Sequence, residues 1–290
     1  MSGAGTFQLG SRTIARMGFG AMQLPGRGVW GPPADRDRAI AVLRRARELG
    51  VNHIDTAQYY GPDVANELIV SALYPYEPDL CIVTKVGALR DQKGGWVSAM
   101  SPEQLRAGVE DNLRALRLER MHMVNLRLTS PGQGGSEVPL AESLGALVRL
   151  REEGKIELIG MSNVSAEQLR SAREMTSVAG VQNAYSVFDR SGRDVFEACA
   201  ADRLAFAAFF PLGSAFAGGP ARLAEDPVLG AVAARHGATR SQVALAWLLA
   251  AAPNVLLIPG TSSPEHLEEN VAAATLALDA ADVAELDALA

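Results

Sequence analysis

Val51-Asn52-His53-Ile54-Asp55-Thr56-Ala57-Gln58-Tyr59-Tyr60-Gly61 begins as a short strand over residues 51–55, then breaks into a polar turn that carries two tyrosines. A carboxylate at the end of a strand and a phenol five residues later can meet at one point in space. A phenol is a weak acid at neutral pH. It becomes useful when a cation lowers its pKa and a carboxylate holds that cation in place. The reading of this stretch turns on whether the chain supplies such a cation, and a scaffold that aims it.

Outward from this stretch, the chain alternates. Before it, residues 7–17 read as a hairpin with Gly10-Ser11 at the turn, and Met17-Gly18-Phe19-Gly20 opens a new strand. A Gly/Pro-rich loop (25–33) leads to a helix over 35–49, with apolar Ile40, Val42, Leu43, Ala46 and Leu49 and a stop at Gly50. After it come a helix at 63–73, a strand at 80–84 and a helix at 101–116. That helix has Ser101 as N-cap, Pro102 at the first position and Gln104 where a capping box places it. Strands follow at 121–126, 156–160, 178–182, 204–209 and 255–258, with helices at 140–153, 165–175, 194–200, 239–251 and 263–273. Ser165 and Gln168 repeat the capping-box pattern, and an amphipathic segment at 280–289 ends the chain.

Short apolar strands without strict alternation are those of a parallel sheet buried on both faces. Eight strand–helix units without a Pro/Ser-rich linker predict one α/β domain over residues 1–290. It would be a (β/α)8 TIM barrel with an N-terminal β-hairpin and an extra C-terminal helix. A doubly wound open sheet is the alternative. It would usually carry a glycine fingerprint after its first strand, and Gly18-Phe19-Gly20-Ala21-Met22-Gln23 does not match one. There is no P-loop, His-Glu-x-x-His or nucleophile elbow.

Composition narrows the function. Of 290 residues, 48% are apolar, enough for a large core, and the net charge of −6 with scattered Lys and Arg argues against a nucleic-acid partner. No run of 18 apolar residues predicts a membrane span, and the N-terminus lacks signal-peptide regions, so a cytoplasmic protein is expected. Cys81 and Cys199 lie in apolar segments and read as buried thiols, so no metal site is expected. No motif speaks to assembly state.

In a barrel of this kind, chemistry sits at the C-terminal ends of the strands. Asp55 ends the second strand, with Tyr60 in its loop. Thr84-Lys85 ends the third, Arg127 the fourth, Ser162-Asn163 the fifth, Gln182 the sixth, Phe209-Phe210 the seventh and Pro259-Gly260-Thr261 the eighth. Asp55 and Lys85 would each be intolerable alone in an apolar interior. Paired, they neutralise each other and can act on Tyr60. A structural ion pair beside an ordinary loop tyrosine is the plainer alternative. His122 lies at the start of its strand and His53 one layer below Asp55, so both read as structural.

At these residues the chain resembles the aldo-keto reductases, over essentially its whole length. The resemblance is carried by Asn52-His53-Ile54-Asp55-Thr56-Ala57-x-x-Tyr60-Gly61, Thr84-Lys85, Ile159-Gly160-Met161-Ser162-Asn163, Val181-Gln182-Asn183, Pro211-Leu212-Gly213 and Ile258-Pro259-Gly260-Thr261 with Glu268-Glu269-Asn270. It implies a nicotinamide-dependent carbonyl reductase. Tyr60 would be the general acid, and Lys85, held by Asp55, would lower its pKa. Ser162, Asn163 and Gln182 would hold the nicotinamide carboxamide. Gly20, Ala21 and Met22 would border the cofactor, and Pro211-Leu212-Gly213-Ser214 would pass along the pyrophosphate. Gly260, Thr261, Ser262, Ser263, His266, Glu269 and Asn270 would take the adenosine end, at a helix N-terminus.

Three positions depart from the family pattern. Arg127 stands where the family usually has histidine. It could polarise the carbonyl, favour the phenolate of Tyr60 or bind an acidic or phenolic substituent, but it cannot shuttle protons. Phe209 replaces the usual stacking tyrosine, and a phenyl ring stacks as well. The adenosine segment has Ser262, Ser263 and His266 where NADPH-preferring members commonly carry basic residues. NADPH/NADP+ is the expected cofactor, with NADH as an alternative.

The resemblance implies a small carbonyl compound as substrate. The loops 25–33 with Trp30, 94–96 with Trp96, and 129–135 would select it. The tryptophans could form stacking walls for a flat carbonyl, or Trp30 could only pin its own loop. Trp30-Gly31-Pro32-Pro33, Ala72-Leu73-Tyr74-Pro75-Tyr76, Asn125-Leu126-Arg127 and Phe209-Phe210-Pro211-Leu212-Gly213 are similar to bacterial pyridoxal reductase-like members, which implies pyridoxal to pyridoxine. A reductase of a keto sugar or enone in secondary metabolism is a second reading. A cofactor-binding regulatory subunit with slow turnover, of the potassium-channel β-subunit type, is a third.

Overall fold

Parallel pairing, and not hairpin pairing, dominates the sheet, because nearly every strand is followed by a helix that returns the chain to the same end. The computed structural model describes residues 3–128, 137–214 and 217–289. The chain opens with β1 (Thr6–Leu9) and β2 (Arg12–Ala15), an antiparallel hairpin, and then β3 (Phe19–Gly20) and a 3-10 turn at Ala21–Gln23. Next come α1 (Arg36–Glu48), β4 (His53–Asp55), α2 (Val64–Leu73) and β5 (Cys81–Val86). A second hairpin, β6 (Ala88–Arg90) with β7 (Trp96–Ser98), precedes α3 (Pro102–Leu116), β8 (Met121–Arg127) and α4 (Leu140–Glu152). The alternation runs on through β9 (Ile156–Ser162), α5 (Ala166–Met175), β10 (Gly180–Ala184), α6 (Arg193–Ala201) and β11 (Ala205–Phe209). Then α7 (Gly219–Glu225), α8 (Pro227–His236) and α9 (Arg240–Ala251) lead to β12 (Val255–Leu257), α10 (Pro264–Ala272) and α11 (Ala280–Asp287).

Among the described residues, eight strands form one parallel sheet in the order β3-β4-β5-β8-β9-β10-β11-β12. The sheet curls until its two edges meet. Gly18 N–H donates to Leu257 O at 2.8 Å, and Leu257 N–H donates to Arg16 O at 2.8 Å. That closure needs glycine. A Cβ on Gly20 would lie 2.4 Å from Ile258 O, and one on Gly260 would lie 2.5 Å from Gly20 O. The expected (β/α)8 barrel with its N-terminal hairpin and C-terminal helix is therefore the observed fold, and the open sheet is excluded.

The interior of the barrel is apolar at its lower end. Leu9 and Ile14 of the first hairpin pack there against Cys81, Val83, Met123, Ala205, Ala207 and Leu256. Each fully buried aliphatic side chain contributes about 1.5–3 kcal/mol. Burial pushes the Cys81 and Cys199 thiols up to about 12, which keeps both protonated and inert. The larger core lies between strands and helices, and its helices are cut by local chemistry. Ser101 with Gln104, and Ser165 with Gln168, form the expected capping boxes, and Gly154 leaves α4 at φ +81°. The expectation left 88–98 and 217–236 without elements, where the structure has β6, β7, α7 and α8. Their signals are local. Asp226 caps α8 and Pro227 begins it, and Gly237 ends it in the left-handed region.

Candidate active site

Asp55 and Lys85 come from neighbouring strands, β4 and β5, and both are buried, 3% exposed. Lys85 Nζ donates to Asp55 Oδ1 at 2.5 Å and to Thr56 O at 3.0 Å. Gln182, two residues before the end of β10, donates Nε2 to the other carboxylate oxygen, Oδ2, at 2.7 Å. One carboxylate thus joins groups from three strands. Removing one member of a buried pair leaves an uncompensated charge and costs about 3–5 kcal/mol. Tyr60 completes the cluster. Lys85 Nζ lies 4.9 Å from its ring centroid, and Tyr59 meets Tyr60 edge-on at 5.4 Å.

Burial, and not a neighbouring cation, dominates the electrostatic balance at Tyr60. Burial pushes the phenol well above its ordinary value, the Asp55 charge adds to this, and the Arg127 charge opposes it. Burial wins because the phenolate would be formed almost out of water. Tyr60 is therefore a phenol, not a phenolate, across the physiological range. Tyr59 is pushed up the same way, first by burial and then by Tyr60. His53 is held neutral by burial, down to about 4, despite the nearby Asp55. His122 Nδ1 accepts the Ile82 N–H at 2.9 Å, the structural role expected for it.

Arg127 ends β8 opposite Ser162 in register, and its Nη1 lies 3.4 Å from Ser162 Oγ. Its guanidinium sits 5.5 Å from the Phe209 ring centroid. Ser162 and Gln182 are register partners, and Asn163 N–H donates to Gln182 O at 3.0 Å. Asn163 takes the left-handed region at φ +58°, which asparagine tolerates, and donates Nδ2 to Leu128 O at 2.8 Å. Phe210 also lies at positive φ, +53°, at a cost of about 1 kcal/mol or more, and turns the chain into Pro211-Leu212-Gly213-Ser214. Asp55, Tyr60, Lys85, Arg127, Ser162, Gln182 and Phe209 are thus together at one mouth of the barrel.

Around the rim, Gly20 and Ala21 are buried and Met22 half-buried, beside Gly260. Thr261 Oγ1 accepts Ser263 N–H, and Ser263 caps α10 by accepting His266 N–H. Ser262 and His266 are exposed, and Asn270 is buried. Glu269 receives the Thr239 hydroxyl at 2.5 Å. Trp30 and Trp96 stand exposed beside Arg90, whose guanidinium lies 5.2 Å and 4.2 Å from their rings. Arg90 also donates to Gly28 O, Val29 O and Gly94 O. It ties both Gly-rich loops together, and Trp96 reaches Tyr59 edge-on at 5.3 Å. Residues 129–135, expected in the substrate entrance, lie outside the described residues.

Sequence reasoning missed the groups behind the site. Thr56 Oγ1 donates to Asn66 Oδ1 at 2.8 Å, while Asn66 Nδ2 (3.1 Å) and Thr84 Oγ1 (2.6 Å) both donate to Asn112 Oδ1. This buried network fixes the residues next to Asp55 and Lys85 against α2 and α3. A signal existed, because Asn112 interrupts the buried stripe Leu105, Val109, Leu116. Arg90 carried no such signal.

A buried lysine–carboxylate pair beside a phenol at the C-terminal mouth of a (β/α)8 barrel is the arrangement of a carbonyl oxidoreductase. The chain belongs to the aldo/keto reductase family, whose model matches residues 16–290. It is 47% identical over 285 residues to pyridoxine 4-dehydrogenase of Escherichia coli, covering 98% of each chain. It is 36% identical to an uncharacterized oxidoreductase of Schizosaccharomyces pombe, covering 99% of this chain and 90% of that one. An aldo/keto reductase from Klebsiella pneumoniae, solved with NADP and acetate, superposes with a TM-score of 0.81 at 27% identity, covering 98% of this chain and 94% of that one.

Proposed function

We propose that the protein is an NADPH-dependent reductase that converts pyridoxal to pyridoxine, with Tyr60 as the proton donor. The observation that carries this is the Asp55–Lys85 pair buried against Tyr60 at the barrel mouth. The kinship with a pyridoxine 4-dehydrogenase and with a reductase solved with NADP supports the substrate and the cofactor.

The donor set fits a nicotinamide carboxamide. Gln182 Oε1 is a buried acceptor with no hydrogen-bond partner among the described residues, and an amide N–H is the donor that pairs it. Ser162 and Asn163 stand beside it. Phe209 offers a ring face, and residues 211–214 and 260–270 would hold the phosphates and the adenosine. When bound, the reduced nicotinamide supplies hydride to the carbonyl carbon.

This chain's residues do the rest. Tyr60, protonated because it is buried, gives its proton to the carbonyl oxygen as negative charge develops there. Lys85 lies against the Tyr60 ring, so its charge stabilises the phenolate that remains, and Asp55 keeps Lys85 in place. Arg127 is a permanent cation facing the same point. It polarises the carbonyl and suits the phenolic oxygen of a flat aromatic aldehyde such as pyridoxal. Trp30 and Trp96, fixed by Arg90, wall the entrance.

NADPH oxidation with pyridoxal, 4-nitrobenzaldehyde and a methylglyoxal-like dicarbonyl tests the substrate; no preference for pyridoxal would remove it. Tyr60→Phe should lower turnover by roughly 10²–10⁴-fold while cofactor affinity stays nearly unchanged. Unchanged turnover would overturn the role of Tyr60.

A further inference from the structure

The segment 260–270 contains no Lys or Arg, so it brings no permanent cation of its own to a 2′-phosphate. The fold brings one from the other end of the chain. α1 packs beside α10, and Arg38, in the first turn of α1, reaches the rim of this segment. Its Nε donates to Ser262 O at 3.2 Å, and its Nη2 donates to Glu265 Oε2 at 3.0 Å.

We propose that Arg38 supplies the cation for the 2′-phosphate of NADPH and so sets the preference for NADPH over NADH. The proposal rests on the nicotinamide-cofactor reading above. Three observations carry it. Arg38 is anchored by an uncharged backbone oxygen at Ser262, so its position does not depend on Glu265. A guanidinium has five N–H donors, which leaves a face for a planar pair of phosphate oxygens. Its acidic partner is displaceable: the pair is exposed, 50% at Arg38 and 75% at Glu265, and the Glu265 carboxylate also receives the Ser263 hydroxyl. An exposed pair is worth little, so a phosphate near two negative charges outcompetes one carboxylate. Glu265 then acts against phosphate, as a partner that must be replaced.

The same interface provides its own control. Arg45, two turns further along α1, pairs with Glu268 at 2.7 Å but lies about 10 Å away along the helix axis from Arg38. A purely structural role for these pairs predicts equal behaviour of Arg38 and Arg45.

Calorimetric titration of the full chain with NADP+, NAD+ and adenosine 2′,5′-bisphosphate decides the matter. Arg38→Met should weaken NADP+ and the bisphosphate about tenfold or more and leave NAD+ unchanged. Glu265→Gln should tighten NADP+ alone, and Arg45→Met should leave both nucleotides as they are. Arg38→Lys, which keeps the charge but loses the fork, should fall between wild type and Arg38→Met for NADP+. Equal effects of Arg38→Met on both nucleotides, or none on NADP+, would overturn the proposal. Wild-type protein that binds neither nucleotide would overturn the cofactor reading itself.

Discussion

Gln182 donates to Asp55 Oδ2 at 2.7 Å, on the carboxylate whose other oxygen holds Lys85. The two residues are 127 apart in the chain and belong to strands that are not neighbours in the barrel. Gln182 therefore acts on the reaction twice, through Asp55 with its nitrogen and toward the carboxamide with its oxygen. Gln182→Leu should weaken cofactor binding and lower kcat, each roughly tenfold, since one hydrogen bond to a charged group and one buried acceptor are lost together. Titration and steady-state rates read both. A variant with wild-type values would make the Asp55 contact incidental.

The raised pKa of Tyr60 gives the two directions opposite pH profiles. Reduction needs the phenol, and the phenol is the form that burial favours, so kcat/KM for the aldehyde should stay level across about pH 6 to 9. Oxidation of the alcohol needs the phenolate, so its rate should climb with pH through the same range, approaching tenfold per unit. The groups that face Tyr60 are Asp55, Lys85, Arg127 and Tyr59. A reduction profile that falls steeply near neutrality would contradict a buried, protonated phenol.

Arg127 stands where its charge both opposes the rise at Tyr60 and meets Ser162. Arg127→Leu removes a charge that opposes the rise of the Tyr60 pKa, so alcohol oxidation should shift to higher pH. Arg127→His should retain reduction of 4-nitrobenzaldehyde, for which polarisation is enough. It should raise KM for pyridoxal roughly tenfold if the guanidinium holds the phenolic oxygen. Equal changes for both aldehydes would remove the anchoring role.

Stability should fall in mild acid, and His53 is a principal reason. Its folded pKa is about 4, below the ordinary 6.5, so the unfolded chain takes up a proton that the folded chain refuses. The stability present above about pH 6.5 is lost as pH falls toward 4, by about 3 kcal/mol for this residue. Urea unfolding of wild type and His53→Gln at several pH values measures it. The variant should lose less stability on acidification, with a remainder from His122, also held down to about 4. Parallel pH curves would show that His53 does not carry the effect.

Much of the site was legible because a parallel barrel turns a one-dimensional rule into a place. Residues at or near the C-terminal end of each strand face the mouth, so Asp55, Lys85, Arg127, Ser162 and Gln182 could be gathered by position, although β5 runs one residue past Lys85 and β10 two past Gln182. Helix ends were legible for the same local reason, as with Ser101 and Gln104, whose side chains cap the helix that they begin. The helices at 217–236 were overlooked although Asp226-Pro227 and Gly237 mark the second of them. The hairpin of β6 and β7 was not legible, because its strands are short and mostly exposed.

By itself, then, the chain's local pattern determined the barrel, its hairpin and closing helix, and the phenol, carboxylate and lysine of the opening stretch and its neighbour. Periodicity and capping depend on residues a few positions apart, and these are written side by side. Tertiary structure alone decided the sign of the pKa shift at Tyr60, because desolvation depends on what surrounds the ring. It alone decided that Gln182 shares Asp55, that Arg90 packs on both Trp30 and Trp96, and that Arg38 meets Ser262 across 224 residues. Such contacts are set by strand register and helix packing, which sum over the whole molecule and leave no mark on any short stretch of it.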